Sequence, residues 1–307
     1  MHTLLGCNGT TGPGLARALR QQNLAVRGVS RRPHPGDWEH RVADVTNPAD
    51  VLAVVDGSEV VYLLVGLQYD LKVWRRDWPV IMENVITACQ AAGAKLVFMD
   101  NVYAYGLVEG PMTEKTPMRP NSEKGKVREK IARMLLDAMD GGLRACIARA
   151  ADFYGPHCEN SALNSTVFEK YAAGKSAILM GRADKVHTYT YSADLGPALS
   201  ILGTDKRADG QVWHLPTSGE RWSSDQWARA AAAAFGVAPK YQTIPTFMLR
   251  LMGLFNPLMR ELAEMNYQFT HDYVFSSEKF ENTFGVTPTT IEKGLAETVK
   301  YYREKRK

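Results

Sequence analysis

The residues with the clearest chemical potential open the chain. Gly6-Cys7-Asn8-Gly9-Thr10-Thr11-Gly12 has the spacing G-x-x-G-x-x-G, directly after a short apolar run and directly before an amphipathic stretch with Pro13 in its first turn. Glycines so spaced let a strand pass into a helix while an anion approaches main-chain N–H groups, and the positive end of the helix dipole adds to the attraction. The anion that suits such a turn is a pyrophosphate, and Gly6, Asn8, Gly9, Thr10, Thr11 and Gly12 are the residues that would cradle it. The second apolar run ends in Ser30-Arg31-Arg32, without the acidic residue that would bind a ribose 2′-hydroxyl. Guanidinium groups at that place suit a 2′-phosphate. The expected cofactor is therefore NADP(H), with NAD(H) ranked second. A charge-assisted bond of about 1.5–3 kcal/mol corresponds to roughly a tenfold to hundredfold preference. Asp44, followed by Val45, has two readings open: it accepts from an adenine amino group, or it caps the next turn.

These residues need elements to hold them. In the first half of the chain, short apolar runs alternate with helix-length amphipathic stretches, the pattern of parallel strands joined by crossover helices. Strands are expected near Leu4, over Leu24 to Ser30, around Arg41 to Asp44, over Val60 to Leu64, Lys95 to Met99, and Arg144 to Arg149. Helices should open after Gly12 and at Pro48, where proline lacks nothing the first turn would use. From Ser122 onward, Val127, Ile131, Met134, Leu135 and Ala138 recur at helical spacing and predict a buried stripe, with Lys126, Lys130 and Arg133 on a more polar face. After about Tyr154 the pattern loosens, although Ser224 to Phe235, stopped by Gly236, reads as a helix. The fold class is α/β: a Rossmann-type doubly wound parallel sheet over residues 1–154, with a smaller C-terminal substrate region over 155–307, some of whose segments return to the first domain.

Composition narrows the function classes. Of 307 residues, 45% are hydrophobic and 23% charged, and the net charge of +4 is dispersed rather than gathered in a stripe, so a small-molecule substrate is expected and a nucleic acid is not. Cys7, Cys89, Cys146 and Cys158 form no C-x-x-C pair and predict reduced thiols with no metal site. The N-terminus enters a strand at once, which points to a cytoplasmic protein. Phe247 to Phe269 is interrupted by Arg250, Arg260, Glu261 and Glu264 below the length a bilayer demands, so no membrane span is expected. Met248, Leu251, Met252, Leu254, Phe255, Leu258, Met259 and Leu262 in that stretch read first as core, with a pocket roof or an interface as alternatives. A monomer or homodimer is expected.

Taken in order, these motifs resemble the extended and atypical short-chain dehydrogenases/reductases, the superfamily that includes the NAD-dependent epimerases/dehydratases. The resemblance runs through the Gly-rich turn, Ala43-Asp44-Val45, the strand and exit Val60-Val61-Tyr62-Leu63-Leu64-Val65-Gly66, Asp100-Asn101-Val102-Tyr103-Ala104-Tyr105-Gly106, Arg149 to Pro156 and Tyr189 to Leu195. It implies that Leu64, Val65 and Gly66 line the cofactor and that Ala150, Asp152 and Phe153 lie beside its nicotinamide. It also implies departures. Asn101 stands where the family has a serine. If Lys126 is the lysine of the family's Y-x-x-x-K, Ser122 occupies the tyrosine position. Lys126 is then expected on the nicotinamide ribose, and Tyr103 or Tyr105 is expected to supply the missing proton donor, Tyr103 in preference. The function implied is an NADP(H)-dependent oxidoreductase on a small carbonyl or enone. The alternatives are a sugar-nucleotide epimerase/dehydratase and a non-catalytic, NADP-sensing regulator similar to the NmrA-like proteins.

Overall fold

A computed structural model describes residues 1–33, 38–158 and 160–306. In chain order the first elements are β1 (His2–Leu5), α1 (Gly12–Gln21), β2 (Val26–Ser30), β3 (Glu39–Val42), α2 (Pro48–Val55), β4 (Val60–Leu63), α3 (Leu71–Ala92) and β5 (Lys95–Asp100). There follow β6 (Pro111–Met112), α4 (Glu123–Asp140), β7 (Ala145–Arg149), β8 (Asp152–Tyr154), α5 (Glu169–Ala172), β9 (Ala177–Met180), β10 (Tyr189–Tyr191), α6 (Ser192–Thr204) and β11 (Gln211–His214). The chain finishes with α7 (Ser224–Phe235), β12 (Tyr241–Ile244), α8 (Thr246–Met252), α9 (Pro257–Met265), α10 (Tyr267–Thr270), β13 (Val274–Phe275), α11 (Glu278–Phe284) and α12 (Ile291–Glu304).

The chain divides into two compact units. The first comprises Met1–Ala104, Glu123–Ala150 and Leu195–Leu215. Its seven-stranded sheet has the order β11-β7-β5-β4-β1-β2-β3, and each neighbouring pair is parallel. β1, β4 and β7 are buried at every position, as strands covered on both faces must be. The order reverses between β1 and β4, so the turn after β1 lies at the switch point where a doubly wound sheet opens a crevice beyond its carboxyl ends. This is the Rossmann-type α/β fold.

Several helix boundaries have visible local causes. Asp70 accepts from the Lys72 and Val73 amides to start α3, and Gly93, at φ +63°, ends it. α4 buries Lys124, Val127, Arg128, Ile131, Ala132 and Leu135 at spacings of three and four. The second unit comprises Tyr105–Ser122, Ala151–Asp194 and Pro216–Lys307. It has three two-stranded parallel pairs, β8 with β10, β9 with β12, and β6 with β13, and an aromatic core that includes Tyr154, Phe168, Tyr189, Tyr191 and Trp227. Asp194 is structural, accepting from both the amide and the hydroxyl of Thr289.

The apolar stretch in α8 and α9 corrects the expectation of core packing. Leu251 is 60% exposed, Leu254 72% and Phe255 89%. The two helices are seven and nine residues long and bury only Leu249 and Met265 between them, too short a contact to cover both apolar faces. Among the described residues, no helix is long and apolar enough to cross a membrane.

Candidate active site

In the first unit the site is built on the carboxyl ends of the parallel strands. β1 ends at Leu5, and Gly6 takes φ +92°, a region that favours glycine; a Cβ there would lie 2.9 Å from the Val65 amide nitrogen. The turn after β1 is thereby packed against Leu64-Val65, the exit of β4. Gly12 answers to a different constraint: a Cβ would sit 2.0 Å from the Cys7 carbonyl oxygen, so only hydrogen fits where the turn folds back under α1. α1 starts with no side-chain cap and with Pro13 in its first turn. Its leading amides are thus left for another acceptor. Asn8 and Gly9 are exposed, Thr10 is half-buried, and Thr11 and Gly12 are buried.

Asn8 does more than complete the turn. Its Nδ2 donates to Ser30 Oγ at 3.0 Å and to the Arg32 carbonyl at 3.2 Å, while Ser30 Oγ donates to the same carbonyl at 2.5 Å. These bonds fix Arg31 and Arg32, both exposed, beside the Gly-rich turn. Leu64 and Val65 are half-buried, and Gly66 is exposed with open space where a Cβ would be. Asp44 caps the turn that follows it: Oδ1 accepts from the amide and the hydroxyl of Thr46, at 2.9 and 2.8 Å. Val45 follows it, half-buried.

The ends of β5 and β7 carry a buried ion cluster that sequence reasoning missed. Asp100 receives Arg128 Nε at 2.8 Å on Oδ1 and Arg149 Nε at 3.1 Å on Oδ2, and all three residues are at most 3% exposed. The Arg128 guanidinium lies 4.4 Å from the Trp78 ring and 5.1 Å from Phe98, faces that favour its charge. The signal available in the sequence was an arginine on the apolar stripe of α4. Asn101 follows Asp100; its Oδ1 accepts from the Tyr103 amide at 3.0 Å, so the side chain is committed to a local turn. Tyr103 is half-buried and stacks on Trp74 at 6.2 Å.

Lys126 and Lys124 are placed oppositely by the helix. Lys126 is 60% exposed and its Nζ lies 2.6 Å from Glu123 Oε1; Glu123 also pairs with Arg75. Lys124, two residues earlier on the buried face of α4, is fully buried with Nζ 4.7 Å from the centre of the Tyr69 ring. β7 leads to Ala150, buried, whose amide donates to the Asp100 carbonyl at 3.2 Å.

Tyr105, Ser122, Asp152 and Phe153 belong to the second unit. Tyr105 and Ser122 are buried there, and Ser122 lies beside the hydroxyl of Tyr267. Asp152 and Phe153 are half-buried, and Asp152 Oδ2 lies 3.0 Å from His187 Nε2. His187 and Tyr267 were not identified from the sequence, where neither stands in a motif.

A glycine-lined turn at the switch point of a doubly wound parallel sheet defines a protein of the dinucleotide-binding class. The profile of the NAD dependent epimerase/dehydratase family matches residues 3–215, and the chain belongs to that family. Among solved structures, it is similar to MoeE5 in complex with UDP-glucose and NAD, with a TM-score of 0.83, 19% identity, and coverage of 100% of this chain and 99% of that one. It is also similar to the UDP-glucose 4-epimerase of Thermus thermophilus in complex with NAD, with a TM-score of 0.82 at 19% identity over 99% of each chain. A third is the dTDP-glucose 4,6-dehydratase DesIV, a double mutant from Streptomyces venezuelae with NAD and DAU bound, with a TM-score of 0.81 at 16% identity, covering 100% of this chain and 98% of that one. Among curated proteins, no sequence match was found.

Proposed function

We propose that the chain binds NADP(H) and acts on a sugar nucleotide by the oxidation–reduction chemistry of an epimerase or dehydratase. The observation that carries this is the cradle at the start of α1: a turn shaped by Gly6 and Gly12, tied by Asn8 to an exposed Arg31-Arg32 pair at the end of β2. The residues present fit a dinucleotide. The uncapped α1 N-terminus suits a pyrophosphate, and the two guanidinium groups suit a ribose 2′-phosphate. A bound nicotinamide dinucleotide supplies hydride exchange with a substrate carbon. The sugar-nucleotide alternative is preferred to a small carbonyl or enone because the matching family is one of epimerases and dehydratases and the similar structures hold UDP-glucose or dTDP-sugar enzymes. Those neighbours carry NAD, so the arginine pair is the specific ground for NADP(H) here.

Calorimetric titration with NADP(H) and NAD(H), followed by incubation with UDP-glucose and dTDP-glucose, tests the reading. Tighter binding of NADP(H) and conversion of either sugar nucleotide is the expected result; a chain that binds neither dinucleotide overturns it.

A second reading, an NADP-sensing protein without turnover, is favoured by one feature. The positions at which the family's serine, tyrosine and lysine are expected hold Asn101, bonded to its own turn, Ser122, and Lys126, paired with Glu123. Cofactor binding with no conversion of any sugar nucleotide or carbonyl would select this reading.

A further inference from the structure

We propose that His40 is a positioning residue for the ribose 2′-phosphate: through Ser30 it holds the backbone that carries Arg31 and Arg32, and so sets the preference for NADP(H) over NAD(H). The inference deepens the cofactor reading above and rests on it. All the residues that carry it belong to the first unit. Its basis is the placing of hydrogens around one oxygen. Ser30 Oγ lies 2.5 Å from the Arg32 carbonyl oxygen, which can only accept, so the hydroxyl hydrogen is committed there. Asn8 Nδ2 donates to the same carbonyl at 3.2 Å and to Ser30 Oγ at 3.0 Å, and Asn8 Oδ1 accepts from the Cys7 thiol at 3.6 Å. His40 Nε2 lies 2.9 Å from Ser30 Oγ, an oxygen with no second hydrogen to give. Nε2 therefore carries a hydrogen and donates it to Ser30.

The strands explain why a histidine of β3 reaches this oxygen. β3 runs parallel to β2 with His40 beside Gly28 and Val42 beside Ser30. Gly28 and Ser30 share one face of β2, so His40 stands diagonally across from Ser30 on that face. A Cβ on Gly28 would lie 2.7 Å from Trp38 Nε1 and 3.0 Å from Cys7 Sγ, so the glycine lets β3 and the turn after β1 close over β2 there. The alternate residues of β3 secure the other face: Glu39 Oε1 accepts from Arg27 Nε at 2.8 Å and from Arg41 Nε at 3.0 Å. β3 is thereby fixed to β2, and His40 with it.

Arg31 lies inside the turn that the bond from Ser30 to the Arg32 carbonyl closes. The guanidinium groups are exposed on long side chains, so the backbone beneath them decides where they can reach. Without the His40 donor, Ser30 Oγ has a lone pair to fill, its hydroxyl can turn away from the carbonyl, and Asn8 alone holds the arginine backbone. NAD(H) has no 2′-phosphate and makes no use of this order; NADP(H) does. The loss of one hydrogen bond corresponds to roughly a twofold to tenfold change in affinity.

The test begins without cofactor. NMR of the full chain labelled with 15N-histidine, assigned with His40→Gln, reads which ring nitrogen of His40 is protonated. A hydrogen on Nε2 is expected, and a bare Nε2 overturns the proposal. Calorimetric titration then follows both dinucleotides. His40→Leu should weaken NADP(H) binding roughly twofold to tenfold and leave NAD(H) binding unchanged. His40→Gln, whose amide can donate to Ser30, should retain the wild-type preference. Ser30→Ala should show the same loss as His40→Leu, and the two together no more than either alone.

A merely structural histidine would weaken both dinucleotides alike. An equal fall for NADP(H) and NAD(H) in His40→Leu, additive losses in the double variant, or a loss that His40→Gln shares overturns the assignment. A wild-type chain that binds neither dinucleotide, or binds NAD(H) more tightly, defeats the cofactor reading and the role of His40 with it. A wild-type preference for NADP(H) that His40→Leu leaves intact defeats the role of His40 alone.

Discussion

At the residue scale, single atoms decide what the turn after β1 can hold. A methyl on Gly12 would meet the Cys7 carbonyl at 2.0 Å, and neither the turn nor the first turn of α1 can move without opening the other. Gly12→Ala should cost about 1–3 kcal/mol, the usual range for overpacking, and should abolish dinucleotide binding; denaturant titration and calorimetry read the two effects. A wild-type midpoint with wild-type affinity would contradict the geometry. Arg31→Ala with Arg32→Ala should reduce the preference for NADP(H) over NAD(H) by roughly tenfold to a hundredfold. Because both side chains are exposed, that change should come without a loss of stability. Asp100 is the opposite case. Asp100→Asn leaves the Arg128 and Arg149 guanidinium groups buried without their counter-charge and should destabilise the chain by about 3–5 kcal/mol, measured as a fall in denaturation midpoint.

At the element scale, the register of α4 separates two lysines that stand two residues apart. The buried stripe at 124, 127, 128, 131 and 135 carries Lys124 inward, and the roughly 200° between positions two apart turns Lys126 to solvent. Its ion pair with Glu123 is an exposed i, i+3 contact that solvent screens. Lys126→Ala should therefore leave stability almost unchanged, so any fall in cofactor affinity reports a direct contact; an unaltered affinity removes Lys126 from the site. α7 is held by a reciprocal cap in which Ser223 accepts from the Gln226 amide and Gln226 accepts from the Ser223 amide. Ser223→Ala should lower stability by about 1 kcal/mol without touching the dinucleotide turn.

Across the whole molecule, burial suppresses the chemistry of the cysteines. All four are buried, and desolvation pushes the Cys89 and Cys146 thiols up to about 12. Native protein at pH 8 should therefore resist maleimide at both positions, and labelling should follow the unfolding transition. The sign of the linkage is set by a folded value raised above the unfolded one. Stability from these thiols is complete below about 9, where the unfolded thiols begin to ionise, and is lost as pH rises toward about 12. Rapid labelling of native Cys89 or Cys146 would show that the sheet and its covering helices open far more readily than their packing implies.

The sequence by itself determined the parallel sheet and the glycine turn, because both are written in local patterns. Alternating apolar runs specify buried strands, and G-x-x-G-x-x-G before Pro13 specifies a strand-to-helix turn whatever surrounds it. Asp44 was legible only as two alternatives, and its cap on Thr46 became visible once the turn was folded. The ion cluster of Asp100, Arg128 and Arg149, and the pairing of Asp152 with His187, could not be read in this way. Their members lie 28, 49 and 35 positions apart, and each contact exists only once separate strands and helices have been brought together. The exposure of Leu254 and Phe255 was equally a tertiary matter, since helical periodicity marks an apolar face but says nothing of whether a neighbouring element covers it. Short-range spacing carries backbone geometry; proton positions and ion pairing depend on which distant side chains share one buried space, and that is settled by packing.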